Sequence, residues 1–138
     1  MLCGRVGARL FVCSSAEDTE FCAKLVDVHG NGTARQLCDG NVRLALRHSL
    51  SRKEPVPPGA VVKVHVDMWA TGVVLPPGHR LRLEVASAAV PKFAAHTNTQ
   101  DDPGHATRVV VAHNRVFHDG PRPSCVLLPI VPGKETRL

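Results

Sequence analysis

The chain has 138 residues, 43% of them hydrophobic and 21% charged, with a net charge of +5. That length suits one domain with its own core, and that composition excludes a disordered chain. No apolar run approaches the roughly 20 residues of a membrane-spanning helix. The basic residues are scattered singly, and four Phe, one Trp and no Tyr offer few stacking platforms, so neither a membrane nor a nucleic acid is expected as a partner.

Eight strands are expected in chain order. The first, near 5–13, alternates Val6, Ala8, Leu10 and Val12 with Arg5, Gly7, Arg9 and Phe11. Such a period of two puts one side of a strand on a core. The second, near 20–29, ends at Gly30-Asn31-Gly32, where Asn-Gly accepts the positive φ of a tight hairpin turn. The third, near 33–39, is expected to end at an Asp39-Gly40 turn, and the fourth, near 41–48, carries Val42, Leu44 and Leu46. Prolines and glycine at 55–59 punctuate the chain before a fifth strand near 60–69, with Val62, Val64, Val66 and Met68 on one face. Pro76-Pro77-Gly78 precedes a sixth near 80–88, with Leu81, Leu83 and Val85. A polar connection at 91–107 has the length of a functional loop. Strands near 108–118 and 124–131 complete the chain, with Pro121 and Pro123 between them. No amphipathic helix is evident. Many short strands between regular turns point to an all-β sandwich or barrel, as one domain over 1–138.

The chemistry is sparse. Cys3, Cys13, Cys22, Cys38 and Cys125 are odd in number and form no C-x-x-C pair, so they read as buried free thiols in a reducing compartment. Arg5 and Arg9 break the apolar stretch that a signal peptide would need. From both features a cytoplasmic location is expected. No G-x-S-x-G elbow occurs, and no catalytic residue is assigned. Ser124, His118 and Asp119 lie close in sequence but read as turn chemistry. His96, His105, His113 and His118 lack the spacing of a zinc site and read as solvated loop residues. Asp101-Asp102 reads as solvated loop charge, or at most as a weak calcium ligand. Neither a metal nor a cofactor is assigned.

A structural network is expected instead. Asp18-Thr19, before a strand, can fix backbone N–H groups. Asp27 shares a face with Phe21, Ala23 and Leu25 and needs a partner if buried, for which Arg43 is the natural candidate. The network comprises Asp18, Thr19, Asp27, Asp39 and Arg43.

Three segments together carry a family resemblance. One runs Asp18-Thr19-Glu20-Phe21-Cys22-Ala23-Lys24-Leu25-Val26-Asp27-Val28, then Gly32, then Asp39-Gly40-Asn41-Val42-Arg43. Another runs from Pro77 through Gly78-His79-Arg80-Leu81-Arg82-Leu83-Glu84-Val85-Ala86-Ser87, followed by Pro91-Lys92-Phe93 and Asn98-Thr99. The last joins Val116-Phe117-His118-Asp119 to Pro123-Ser124-Cys125-Val126-Leu127-Leu128-Pro129. In this order they resemble the C-terminal domain of X-prolyl dipeptidyl-peptidases and cocaine-esterase-like acyl hydrolases, over about residues 4–132. The resemblance implies a jelly-roll β-sandwich, similar to galactose-binding domains, packed on an α/β-hydrolase domain in the same or a separate chain. The catalytic serine, aspartate and histidine then belong to that other domain, and no position here matches them. The family's leading strand, ahead of Gly4-Arg5-Val6, is expected to be missing, which would bare a sheet edge and favour homo-oligomers.

The leading functional expectation is a non-catalytic accessory domain of a serine hydrolase. It would stabilise the hydrolase core, frame the substrate cleft or support oligomerisation. The alternative is a carbohydrate-binding module, for which the only tryptophan, Trp69, would be the natural platform, although its apolar neighbours suggest a core position. An enzyme built from the His-rich loop is the third and weakest reading.

Overall fold

The computed structural model describes residues 1–102 and 104–132. Among these residues it is all-β, apart from one 3-10 turn. The strands are β1 (Leu2–Ser14), β2 (Glu20–Val28), β3 (Ala34–Arg43), β4 (Val62–Val73), β5 (Arg80–Ala86), β6 (Asn114–Phe117) and β7 (Cys125–Leu127). All ladders are antiparallel. One sheet runs β4-β1-β6, with β7 also on β1, and the other runs β3-β2-β5. The two sheets form a β-sandwich.

The alternating residues fill the space between the sheets. Val6, Ala8, Leu10 and Val12 of β1 meet Phe21, Ala23 and Leu25 of β2 and Val64, Val66 and Met68 of β4 in one buried cluster. Each of these side chains contributes about 1.5–3 kcal/mol by leaving water, except the alanines, which bury less.

The expected turn at Asp39-Gly40 is absent. β3 runs through it from Ala34 to Arg43, pairing Asp39 with Lys24 and Gly40 with Ala23. Gly40 has another purpose. A Cβ there would lie 1.9 Å from the Asp67 carbonyl oxygen, so the missing side chain lets β3 press directly on β4 across the sandwich. The fourth expected strand is likewise replaced. Leu44–Leu46 form the 3-10 turn, which buries Leu44 and Ala45.

β6 and β7 lie in series along a single edge of β1. Phe117 pairs with Phe11, and Cys125 pairs with Arg9. The chain between them bulges away, and Ser124 ties its base. The Ser124 hydroxyl accepts the Phe11 N–H at 2.9 Å and donates to the Phe117 carbonyl. Residues 108–113, expected within a strand, form no ladder because β1 ends at Ser14. Ser15 meets them through His113, the Val110 N–H donates to the Thr97 carbonyl at 2.9 Å, and Arg108 pairs with Glu17, while Val109 and Val111 stand exposed.

A bulge marks β4. Met68 and Trp69 together oppose Val6, between the Arg5–Ala70 and Gly7–Asp67 pairs. Trp69 takes φ +66° and is 68% exposed, which corrects the expected core position. The Asp67 carboxylate accepts the Trp69 N–H at 2.9 Å and pairs with Arg5, fixing this unusual conformation.

Candidate functional site

Asp18 is completely buried. It sits where the chain crosses from β1 to β2, and its carboxylate gathers three donors. Oδ1 accepts the N–H groups of Thr19 and Ala45, each at 2.9 Å, and Oδ2 accepts Arg43 Nε at 2.6 Å. A buried carboxylate is tolerable only with such compensation. Arg43, at the end of β3, reaches on to the long loop, where its Nη2 donates to the carbonyls of Asp101 (3.0 Å) and Thr99 (3.4 Å).

Thr19 continues the network. Its hydroxyl donates to Asn98 Oδ1 at 2.9 Å and accepts Asn114 Nδ2 at 3.0 Å. Asn98 has φ +61°, which its short polar side chain accommodates, and its Nδ2 donates to the Val110 carbonyl at 2.7 Å. The Asn98 N–H donates to His96 Nδ1 at 2.9 Å, which puts the imidazole proton on Nε2, 3.8 Å from Asp18 Oδ2. The His96 side chain is 5% exposed rather than solvated, and burial foremost holds its pKa below the ordinary histidine value. Thr99 is completely buried and hydrogen-bonds Asp101 Oδ2 at 3.1 Å. Asp101 and Asp102 diverge. Asp102 turns outward to Lys53, whose ammonium lowers its pKa. The loop is therefore built around a polar interior fixed by Asp18 and Arg43.

Asp27 and Asp39 belong elsewhere. Asp27 does not meet Arg43, because the two lie at opposite ends of the β2–β3 ladder. Its carboxylate, 6% exposed, bonds His79 Nδ1 at 2.9 and 3.0 Å and lies 3.4 Å from His29 Nε2. Asp39 faces outward from its sheet and is covered by Lys92 of the loop. Thus Asp18, Thr19 and Arg43 form one network, while Asp27 and Asp39 each anchor a separate contact. Sequence reasoning missed His96, Asn98, Thr99, Lys92 and His79 as partners, although all but His96 stand inside the quoted segments.

Beside the Asp18 network opens a cleft of about 340 Å³, bordered by Glu20, Asn41, Arg43, Lys92, Phe93 and His96. Cys22 lies nearby, its thiol donating to Glu20 Oε1 at 3.1 Å. Burial and that carboxylate push its pKa up to about 12, so the thiol is no nucleophile at neutral pH. All five cysteines are free; Cys13, Cys22 and Cys38 are buried, while Cys3 is exposed and Cys125 half-buried. Ser124 Oγ is committed to backbone, and Asp119 is committed to Arg122. No helix of the described residues is long and apolar enough to cross a membrane.

Comparison with known proteins agrees with this architecture. The model of the X-Pro dipeptidyl-peptidase C-terminal non-catalytic domain matches residues 1–127. Cocaine esterase of Rhodococcus sp. (strain MB1 Bresler) is 44% identical over 133 residues, covering 93% of this chain and 23% of the esterase. Among solved structures, an aminopeptidase from the marine sediment archaeon Thaumarchaeota archaeon superposes with a TM-score of 0.84 at 21% identity, covering 95% of this chain and 23% of that one. An alpha-amino acid ester hydrolase superposes with a TM-score of 0.81 at 21% identity, covering 93% and 23%. The chain therefore spans about a quarter of the length of these relatives. With the match covering nearly all of it, the chain belongs to the X-Pro dipeptidyl-peptidase C-terminal family, as a non-catalytic domain of larger hydrolases.

Proposed function

We propose that this domain serves a serine hydrolase of the X-prolyl dipeptidyl-peptidase or acyl-esterase type by docking on its α/β-hydrolase domain, stabilising that domain and helping to frame its substrate cleft. The observation that carries the reading is the 91–107 loop. Its residues 98–101 are pinned to Thr19 and to Arg43, which Asp18 holds in turn, so this stretch presents its outer surface as a fixed wall. A wall fixed by buried charge suits a loop that shapes a neighbouring cleft. The exposed Trp69, Val74, Leu127 and Ile130 provide apolar surface for a partner to cover. β4 ends its sheet on the side away from β1, and that edge is the natural place for self-association.

Catalysis would reside wholly in the partner domain. Intact-mass measurement after treatment with a fluorophosphonate tests this. The folded chain should keep its unmodified mass. A stoichiometric single adduct would overturn the non-catalytic reading.

A second reading, carbohydrate binding, gains from the exposure of Trp69, since an exposed indole is a common sugar platform. The intrinsic fluorescence of this single tryptophan during glycan titration separates the two readings. Docking without sugar recognition predicts an unchanged spectrum.

A further inference from the structure

One end of the second sheet carries a cluster that the docking role leaves unused. Asp27 and His29 are two residues apart on β2 and its continuation, so their side chains share a face. The β2–β5 ladder pairs Asp27 with Leu81 and Val28 with Arg80. One rung further on, His29 stands opposite His79, on the face that Asp27 occupies. The two imidazoles stack with centroids 4.3 Å apart, tilted by 30°. One ligand atom from each of Asp27, His29 and His79 lies within 4.8 Å of the other two.

We propose that Asp27, His29 and His79 form a binding site for a divalent transition-metal ion of the zinc class. Two imidazole nitrogens and one carboxylate oxygen are donors that borderline ions prefer over calcium or magnesium. Bonds of about 2.0–2.1 Å at tetrahedral angles set ligand atoms about 3.4 Å apart. Asp27 Oδ2 already lies 3.4 Å from His29 Nε2, and its 3.0 Å to His79 Nδ1 needs to open by a few tenths of an ångström. The two nitrogens then close toward each other across the stack. To ligate the ion, His79 Nδ1 gives up the proton it shares with Asp27, and the neutral ring then carries its one proton on Nε2.

Backbone bonds hold the ligands in place beforehand. The His29 N–H donates to the Thr33 carbonyl at 2.8 Å within the hairpin, and the His79 N–H donates to the Pro76 carbonyl at 3.2 Å in the proline turn. Asp27 is buried, whereas the His29 side chain is one-third exposed and leaves the site open on the solvent side. An ion there would clamp the β2–β3 hairpin to the start of β5 and keep one coordination position for water or an outside donor.

Calorimetric titration of the untagged, chelator-treated chain with zinc chloride tests this, together with the melting temperature. One-to-one binding with a rise in melting temperature is expected, and magnesium should give neither. His29→Gln, at a partly exposed position, should fold normally and weaken zinc binding by at least about tenfold. His118→Gln serves as the control and should bind as the unaltered chain does. Absence of saturable zinc binding by the folded chain, or binding undiminished in His29→Gln, would overturn the site.

Discussion

Arg43 Nε donates to Asp18 Oδ2 at 2.6 Å, joining the last residue of β3 to a completely buried carboxylate ahead of β2. The same guanidinium holds the carbonyls of Thr99 and Asp101. This contact thus couples the sandwich to the loop that we assign to the hydrolase cleft.

Arg43→Ala should cost roughly 3–5 kcal/mol, because it leaves Asp18 charged, buried and short of a partner. Arg43→Lys should recover little of this, since an ammonium cannot serve the carboxylate and two carbonyls in the same fixed fork. Urea denaturation of both variants checks the prediction. Equal stability of the alanine variant and the unaltered chain would contradict it.

Acidification should destabilise the domain through His96. Its folded pKa lies below the ordinary 6.5, chiefly by burial. The unfolded chain therefore binds this proton more readily than the folded one, and stability falls as pH drops below about 6.5 toward the folded pKa. The slope from this one group is at most roughly 1.4 kcal/mol per pH unit. His96→Gln should remove that component when stability is compared across pH 5–7.

Gly40→Ala should be among the most damaging single changes in the core. The added methyl meets the Asp67 carbonyl oxygen and carbon at 1.9 and 2.8 Å, and both are backbone atoms that no rotamer change can move. A loss of roughly 3 kcal/mol or more is expected in thermal or denaturant unfolding.

Trp69→Gly should act oppositely on stability and docking. Glycine accepts φ +66° without the roughly 1–2 kcal/mol penalty of an L side chain. Part of that gain is offset by the entropy of an unfolded glycine. The isolated chain should keep its stability or gain up to about 1 kcal/mol, while its association with a hydrolase domain weakens. A loss above about 1 kcal/mol in the isolated chain would show that the indole packs inward.

Much of the sandwich was legible because its strands alternate cleanly. Val64, Val66 and Met68 of β4, and Val6 to Val12 of β1, are buried as the period of two requires. Three features resisted. Asp39-Gly40 mimics a turn, but the glycine answers to a backbone on the facing sheet, a long-range constraint invisible along the chain. Residues 108–113 have strand composition yet no neighbouring strand to pair with. Trp69 has an apolar neighbourhood in sequence, yet it follows Lys63, His65 and Asp67 on the outer face of β4 and stands exposed. In the site, the shared network of Asp18 and Arg43 could be read from residue type, although the burial argument gave Arg43 to Asp27. The partner of Asp27 could not, because His29 and His79 meet it through the β2–β5 register, and pairing of distant strands is not written in local pattern. His96 was hidden by its setting in a polar loop, whose interior closes only when Asn98 and Thr99 bond inward.

The most direct test of the docking role is domain replacement in the Rhodococcus cocaine esterase, with this chain substituted for the region it matches. Esterase activity and melting temperature would be measured beside the intact enzyme and the enzyme lacking that region. The account predicts that the chimera melts above the truncated enzyme and recovers activity that truncation loses. A chimera no more stable or active than the truncated form would contradict it.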